Sequence, residues 1–181
     1  ATPLLGRASE LIAMEKLYKD PQCRLLTLTG VGGVGKTRLA IEFASRWYGR
    51  FPDGVFYVPL ASLNSAELIV SAIAEAFELV FSGPEEPKEQ LIRYMTGRIE
   101  ESALLVLDNL EHLLGESSVA AALVSDLLRR LPGLKILTTS RERLDLQGEW
   151  IYELYGLPTP EFEIVGSLDE YSAITLFIQS A

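Results

Sequence analysis

The sequence has one cysteine and one histidine among its 181 residues, and no apolar run in it reaches 18 residues. The lone Cys23 excludes an internal disulfide, and no cluster of metal-ligating side chains is present, which fits a reducing compartment. The lack of a long apolar run and of a secretory signal argues against a membrane span and against export. We therefore expect a protein of the cytoplasm that has no membrane partner.

Basic residues are also scarce. The chain has 16 lysines and arginines but 25 aspartates and glutamates, which gives a net charge of −9. Such a balance excludes a general electrostatic grip on nucleic acid, so we expect no direct nucleic-acid binding by this segment. Hydrophobic residues make up 48% of the chain, which is enough for a sizeable core. The length suits one principal domain.

The most informative stretch is Gly30-Val31-Gly32-Gly33-Val34-Gly35-Lys36-Thr37, which satisfies the phosphate-binding pattern G-x-x-x-x-G-K-[ST], or Walker A motif. An apolar run at 24–29 precedes it and predicts a strand, and helical spacing follows it over 37–49. Successive backbone N–H groups of such a loop form an anion nest at a helix N-terminus. The alternative is a glycine-rich turn without a ligand, which the strand–loop–helix context disfavours.

Each residue of this loop has an expected role. Lys36 is predicted to reach the β- and γ-phosphates, and the hydroxyl of Thr37 is predicted to ligate Mg²⁺. The predicted phosphate-side contacts are Gly30, Val31, Gly32, Gly33, Val34, Gly35, Lys36, Thr37 and Arg38.

Strand-like and helix-like stretches alternate along the chain. Strands are predicted at 24–29, 55–58, 103–109, 134–139 and 150–154. Helices are predicted at 9–20, 37–49, 63–80, 89–101 and 117–130. This alternation implies a parallel α/β sheet with right-handed crossovers, whose ligands lie at the carboxyl ends of the strands.

Two polar residues follow predicted strands at that edge. Asp108 ends a continuous apolar run, as the magnesium-ordering aspartate of a Walker B motif does. Arg141 follows the fourth strand, where a cation can stabilise charge on a transferring phosphoryl group. The alternatives without a functional role are that Asp108 is an ordinary turn residue and that Arg141 is an ordinary surface arginine. We predict Lys36, Asp108 and Arg141 as catalytic residues, and Thr37 and Asp108 as the metal site.

Five segments together resemble a known family. They are Leu4-Leu5-Gly6-Arg7, GVGGVGKTRLA at 30–40, LLVLDNLEHLL at 104–114, ILTTSRERL at 136–144 and GEWIYELYGLPTP at 148–160. These resemble STAND ATPases, and more narrowly the NB-ARC (AP-ATPase) branch in large bacterial regulators of the LuxR and SARP type. The resemblance implies an ASCE-type P-loop NTPase, a three-layer α/β/α fold with a five-stranded parallel sheet of order 5-1-4-3-2.

The resemblance also implies ligands and partners. Leu5, Gly6 and Arg7 would contact the adenine side of ATP or ADP, with Mg²⁺ as the metal. Residues 1–156 would form the P-loop domain, and 157–181 a linker and the start of a truncated helical subdomain. The chain would be part of a longer protein, whose other domains are its partners and which self-associates when ATP is bound.

One position departs from the family pattern. The second acid that commonly follows the Walker B aspartate, the presumed base for water, is replaced by Asn109. An amide orients water but cannot accept its proton, and Glu111 would substitute only if the turn brought it round. We therefore expect a slow, weak ATPase. The lone His112 is predicted to have a loop or packing role.

The function that the resemblance implies is an ATP/ADP-binding switch module, which controls transcription in the full-length protein. An AAA+-type mechanical or loader ATPase is an alternative that predicts an acid at position 109. A P-loop kinase would need an acceptor-binding lid that the sequence does not identify. A non-hydrolysing scaffold is the third alternative, against which the intact motifs argue. The sequence lacks the Asn-Lys-x-Asp guanine motif, which favours ATP.

Overall fold

The centre of the fold is a five-stranded parallel sheet, seen in a computed structural model that describes residues 5–114 and 119–157. The strands are β1 (Leu25–Thr29), β2 (Val55–Pro59), β3 (Ala103–Asp108), β4 (Leu134–Thr139) and β5 (Glu149–Glu153). Their order is β2-β3-β4-β1-β5, and every neighbouring pair is parallel. This is the predicted order 5-1-4-3-2 counted from the other edge, so the fold prediction is confirmed.

Five helices pack on this sheet within the described part of the chain. They are α1 (Ala8–Tyr18), α2 (Lys36–Trp47), α3 (Ile69–Ala76), α4 (Pro87–Arg98) and α5 (Val119–Arg130). Short 3-10 turns occupy Tyr48–Arg50, Ala66–Leu68 and Glu111–Leu113. None of the helices described is long and apolar enough to cross a bilayer.

The sheet separates two apolar layers. Helices α1 and α2 pack on one face, where Leu26, Leu28 and Phe43 are buried together. Helices α3, α4 and α5 pack on the other face, against Leu105 and Ile136. Because alternate residues of a strand point to opposite faces, β1 and β3 are buried at every position, as their continuous apolar runs predict.

The third helix is shorter than predicted. Helical spacing suggested 63–80, but the regular helix spans Ile69–Ala76 and follows the 3-10 turn Ala66–Leu68. The helix ends because Glu78 adopts a left-handed backbone with φ of 57°, and the N–H of Leu79 returns to the carbonyl of Ala74 at 2.8 Å. A glutamate rarely takes this conformation, so periodicity alone did not reveal the end.

The connections align three strand ends at one edge. Strand β4 lies between β1 and β3, so the residues that follow these three strands are neighbours. The N–H of Ser140 bonds to the carbonyl of Leu28 at 3.0 Å, and the N–H of Leu110 bonds to the carbonyl of Thr139 at 3.0 Å. The ladder therefore continues into the loops that carry the candidate site.

Candidate functional site

The glycine-rich loop lies between β1 and α2, tight against the end of β5. Gly30 has a φ of 148°, and a Cβ atom placed there would lie 2.5 Å from the carbonyl oxygen of Leu154. Gly35 caps α2 with a φ of 99°. Both positions need the freedom of glycine, one for its close approach and one for its left-handed backbone. The loop therefore curves in front of the first turn of α2.

Lys36 is the first residue of α2, and its side chain folds back onto the glycine-rich loop. Its Nζ donates to the carbonyl of Gly30 at 2.7 Å and to that of Val31 at 3.1 Å, and the residue is only 9% exposed. An ammonium group has three N–H donors, and these contacts use two of them. The charge is thus fixed beside the backbone of the loop, where a phosphate oxygen can compete for it.

The carboxylate of Asp108 is the polar centre of the site, and the residue is 6% exposed. Its Oδ1 accepts hydrogen bonds from Oγ1 of Thr37 at 2.8 Å and from Oγ1 of Thr139 at 2.5 Å. Its Oδ2 accepts one from the hydroxyl of Tyr57 at 2.9 Å. These donors come from α2, β4 and β2, so the carboxylate joins three elements of the fold.

Sequence reasoning missed Tyr57 and Thr139 as parts of this site. Burial, together with the hydrogen bond to Asp108 and the charge of that carboxylate, raises the pKa of Tyr57 to about 12. The phenol therefore stays protonated and able to donate. Thr139 donates to Asp108 and also accepts from the N–H of Asn109 at 2.8 Å. Thr139 could have been found from its place at the polar end of a predicted strand, within the segment ILTTSRERL.

The oxygen donors fit Mg²⁺. Thr37, in the first turn of α2, offers a hydroxyl, and Asp108, at the end of β3, offers a carboxylate. Oγ1 of Thr37 lies 2.8 Å from Oδ1 of Asp108. Hard oxygen ligands of this kind, usually few in number and completed by water and phosphate, are what Mg²⁺ prefers. The described residues contain no group of three or more His, Cys, Asp or Glu side chains that would suit a different metal.

Arg141 faces the glycine-rich loop from the end of β4. Its Nε lies 3.1 Å from Oε1 of Glu111, and a Cβ atom at Gly32 would lie 3.6 Å from its guanidinium. Arg141 is 69% exposed, whereas Glu111 is 13% exposed. Among the buried side-chain atoms described, Oε2 of Glu111 stands without a hydrogen-bond partner. The turn after Asp108 thus brings a carboxylate to the same site.

These residues surround a cavity of about 260 Å³. Its lining is Gly32, Gly33, Gly35, Lys36, Thr37, Arg38, Asn109, Glu111, Thr139 and Arg141. The structure therefore brings the predicted loop, the turn after Asp108 and the end of β4 together at one place. Their roles toward a ligand stay predictions.

Asn109 lies in the turn between Asp108 and Glu111, with a φ of 66°. Its Nδ2 is 3.4 Å from Nδ1 of His112, and Nε2 of His112 is 2.9 Å from the carbonyl of Leu63. His112 thus links this turn to the loop after β2. That contact is consistent with the loop or packing role predicted for it.

Of the residues predicted on the adenine side, Arg7 has the most defined surroundings. It is 6% exposed, and its guanidinium donates to Val34 O at 2.9 Å and to Glu10 Oε1 at 2.6 Å. Burial opposes ionisation of Glu10, but hydrogen bonds from Arg7 and Ser9 outweigh it and lower the pKa of that carboxyl. Arg7 therefore ties α1 to the glycine-rich loop, and contact of Leu5, Gly6 and Arg7 with adenine stays a prediction.

Comparison with known proteins identifies related sequences. The model of the NACHT domain matches residues 24–166. A putative HTH-type transcriptional regulator of Mycobacterium tuberculosis is 42% identical over 128 residues, which are 71% of this chain and 14% of that protein. The match thus spans about a seventh of that relative.

Solved structures show the same fold at low identity. The ORC1 protein of Aeropyrum pernix, solved in complex with DNA, is 23% identical with a TM-score of 0.68, and the match covers 88% of this chain and 47% of that one. The ORC2 protein of the same organism, solved as ADPNP–ADP complexes, is 19% identical with a TM-score of 0.55 and coverages of 77% and 41%. At these identities the likeness concerns the fold alone.

Proposed function

Because this chain belongs to the NACHT domain family, whose P-loop NTPase fold it has, we propose that it is the ATP/ADP-binding switch module of a larger STAND-type regulator. One observation carries the proposal. The hydroxyl of Thr37, at the end of the phosphate-binding motif, donates to the carboxylate of Asp108 at 2.8 Å. Two motifs 71 residues apart in sequence thus meet, and the hydroxyl and carboxylate that they bring together are oxygen ligands that suit Mg²⁺.

The positions of these residues in and beside the cavity support the roles that we propose for them. The glycine-rich loop and Lys36 bind the phosphates, and Thr37 and Asp108 hold Mg²⁺. Arg141 lies next to Gly32 of the glycine-rich loop, where its guanidinium would contact the γ-phosphate. ATP and ADP differ in this one group, so Arg141 supplies the differential contact that a two-state switch needs.

ATP hydrolysis by this module is slow, and Glu111 acts as the base that activates water. The amide of Asn109 cannot accept a proton from water. Glu111 lines the same cavity, and its Oε2 is buried and has no partner among the described residues. A carboxylate in that setting can orient water and take its proton once Arg141 turns to the γ-phosphate. The module is therefore a weak ATPase.

The output of the switch is control of transcription by a separate part of the longer protein. The support is the printed name of the mycobacterial relative, an HTH-type transcriptional regulator, of which this chain matches only a part. ATP favours self-association of the whole protein, which we place in the cytoplasm. This segment does not contact DNA itself, since its net charge of −9 opposes binding to a polyanion.

The finer classification is also a proposal. The matching family model is that of the NACHT domain, and the narrower NB-ARC branch stays a prediction. An AAA+-type loader is the alternative, and the likeness to ORC proteins extends to the fold only. Asn109, where that alternative expects an acid, argues against it.

A comparison of ATP and ADP affinities tests the switch. We expect wild-type chain to distinguish the two in Mg²⁺, and Arg141→Ala to lose the discrimination while it retains ADP binding. Arg143→Ala is the matched control, because Arg143 is 66% exposed and pairs with Asp145 outside the described cavity. Equal affinities in wild type, or discrimination unchanged in Arg141→Ala, would overturn the proposal.

A further inference from the structure

We propose that Tyr57 is a positioning residue, which holds the Asp108 carboxylate in the orientation that the Mg²⁺–nucleotide complex requires. The proposal rests on the proposed function, because it assigns a new residue to the same site. Its basis is the 2.9 Å hydrogen bond from the Tyr57 hydroxyl to Oδ2 of Asp108.

The sheet brings the two side chains together. Strand β2 pairs with β3 in parallel register, with Tyr57 opposite Val106 and Pro59 opposite Asp108. Tyr57 alternates with Phe56 and Val58, which pack into the layer of α3, α4 and α5, so its own side chain points to the α2 face. Asp108 shares that face, since it contacts Thr37 of α2. The phenol therefore reaches the carboxylate diagonally across the strands.

The donors around Asp108 are unevenly distributed. Oδ1 accepts hydrogen bonds from both Thr37 and Thr139, whereas the donor described at Oδ2 is Tyr57 alone. Rotation of a carboxylate about its last bond is soft, so contacts at one oxygen leave the other free to swing. A donor at each oxygen fixes the plane of the group.

This orientation matters for the metal. As a ligand, the Thr37 oxygen must direct a lone pair at Mg²⁺, and its proton must go elsewhere, namely to Oδ1 of Asp108. Mg²⁺ tolerates little departure from octahedral geometry. If the carboxylate of Asp108 could rotate, the Thr37 hydroxyl would lose its hydrogen-bond acceptor, and both oxygen ligands proposed for Mg²⁺ would be less well oriented. Removal of an outer partner of this kind typically costs 10–100-fold in metal affinity.

A purely structural role is the competing explanation, since the bond also joins β2 to β3. The two explanations differ in what the loss of the hydroxyl changes. If the hydrogen bond only joins the two strands, its loss lowers both folding stability and nucleotide affinity, whether or not Mg²⁺ is present. If Tyr57 positions the carboxylate, loss of its hydroxyl changes how nucleotide affinity depends on Mg²⁺ and leaves the affinity in the absence of metal unchanged.

Tyr57→Phe tests the proposal, with Tyr94→Phe as its matched control. The residues are 39% and 37% exposed, and the Tyr94 hydroxyl donates to the carbonyl of Phe77 at 3.3 Å, away from the site. Two quantities are measured by calorimetry. One is the affinity for ADP in EDTA, where no metal is available. The other is the Mg²⁺ concentration at which half of the increase in ADP affinity caused by Mg²⁺ is reached.

We expect Tyr57→Phe to raise that Mg²⁺ concentration by about tenfold, with the EDTA affinity unchanged and Tyr94→Phe like wild type. An unchanged Mg²⁺ dependence would overturn the inference and leave the proposed function intact. A parallel loss in EDTA, or the same shift in Tyr94→Phe, would also overturn it in favour of a structural role. Wild type that binds no nucleotide, or is insensitive to Mg²⁺, would overturn the proposed function and the inference with it.

Discussion

Nε of Arg141 lies 3.1 Å from Oε1 of Glu111, which pairs the end of β4 with the turn after β3 inside one cavity. Because Arg141 is 69% exposed, solvent screens the pair, and it contributes little to stability. A γ-phosphate carries more charge than a carboxylate and competes well for the guanidinium. In the switch that we propose, breaking this pair would couple the sensing of the γ-phosphate to the release of Glu111 toward water.

Glu111→Gln should abolish most of the hydrolysis and spare binding. A general base contributes about 10²–10⁴-fold to a rate, so we expect single-turnover ATP hydrolysis to fall by at least about 100-fold. Phosphate release measures the rate, and calorimetry checks that ADP affinity is retained. Glu142→Gln, at an exposed position next to Arg141, should hydrolyse ATP like wild type. Normal hydrolysis in Glu111→Gln would exclude this residue as the base.

Gly30→Ala should destabilise the chain. A Cβ atom there meets the carbonyl oxygen of Leu154 at 2.5 Å, and the φ of 148° is unfavourable for alanine. Backbone strain and overpacking together should lower the free energy of unfolding by about 2–4 kcal/mol, measured in urea.

Gly97→Ala is the control for this substitution. Gly97 lies in α4, and a Cβ atom there meets nothing within 4 Å. Alanine is the better helix former, so we expect a gain of about 0.5–1 kcal/mol. Equal effects of the two substitutions would mean that the close approach of Gly30 to the carbonyl of Leu154 is not as described.

Thr139→Val removes a hydroxyl from the centre of the site and keeps the shape of the side chain. The N–H of Asn109 would lose its acceptor, and Oδ1 of Asp108 one of its donors. A buried polar group left without a partner costs about 1–3 kcal/mol, so urea unfolding should show a loss of that size. Thr96→Val, on the exposed side of α4, should change stability by less than about 0.5 kcal/mol. A neutral Thr139→Val would contradict the hydrogen bonds assigned to that residue.

Cys23 should resist thiol reagents in the folded chain. Burial raises the pKa of its thiol to about 11, the side chain is inaccessible, and nearby Lys135 only partly offsets the effect. At pH 8 only about one thiol in a thousand is then ionised, far fewer than in an unfolded chain.

The same shift predicts a pH dependence of stability. The folded pKa of Cys23 lies above its ordinary value of 9.0, so its contribution is complete below pH 9 and is lost as the pH rises toward 11. Labelling should be slow in buffer at pH 8 and fast in urea, and Cys23→Ala should flatten the fall in stability above pH 9. Fast labelling of the native chain would contradict the described burial.

The parallel sheet and the edge that holds the site were predictable from local sequence patterns, whereas the strand order came from the resemblance to a known family. The buried runs that end at Thr29, Asp108 and Thr139 identify parallel strands, and the carboxyl ends of such strands meet. The β2 donor Tyr57 was not predictable. Its bond to Asp108 depends on a strand register 51 residues away in sequence, and a tyrosine in a strand is otherwise ordinary.

The same limit applies to two other residues. Arg7 was expected beside adenine, yet its burial and its bond to Val34 depend on how α1 packs on the loop. Whether Glu111 would reach the site depended on the turn at Asn109, which has a φ of 66°. Asparagine tolerates that conformation, but its identity alone does not say where the turn directs the next side chains. The predicted linker and helical subdomain at 157–181 lie outside the described residues, apart from Leu157.

The most direct test of the central claim is calorimetric titration of the chain with ATP in the presence of Mg²⁺. Lys36→Ala and Lys19→Ala are compared with wild type, since Lys36 is buried in the glycine-rich loop and Lys19 is exposed at the far end of α1. The account predicts saturable binding by wild type and by Lys19→Ala, and its loss in Lys36→Ala. Absence of binding by wild type, or equal binding by Lys36→Ala, would contradict a nucleotide site at this loop.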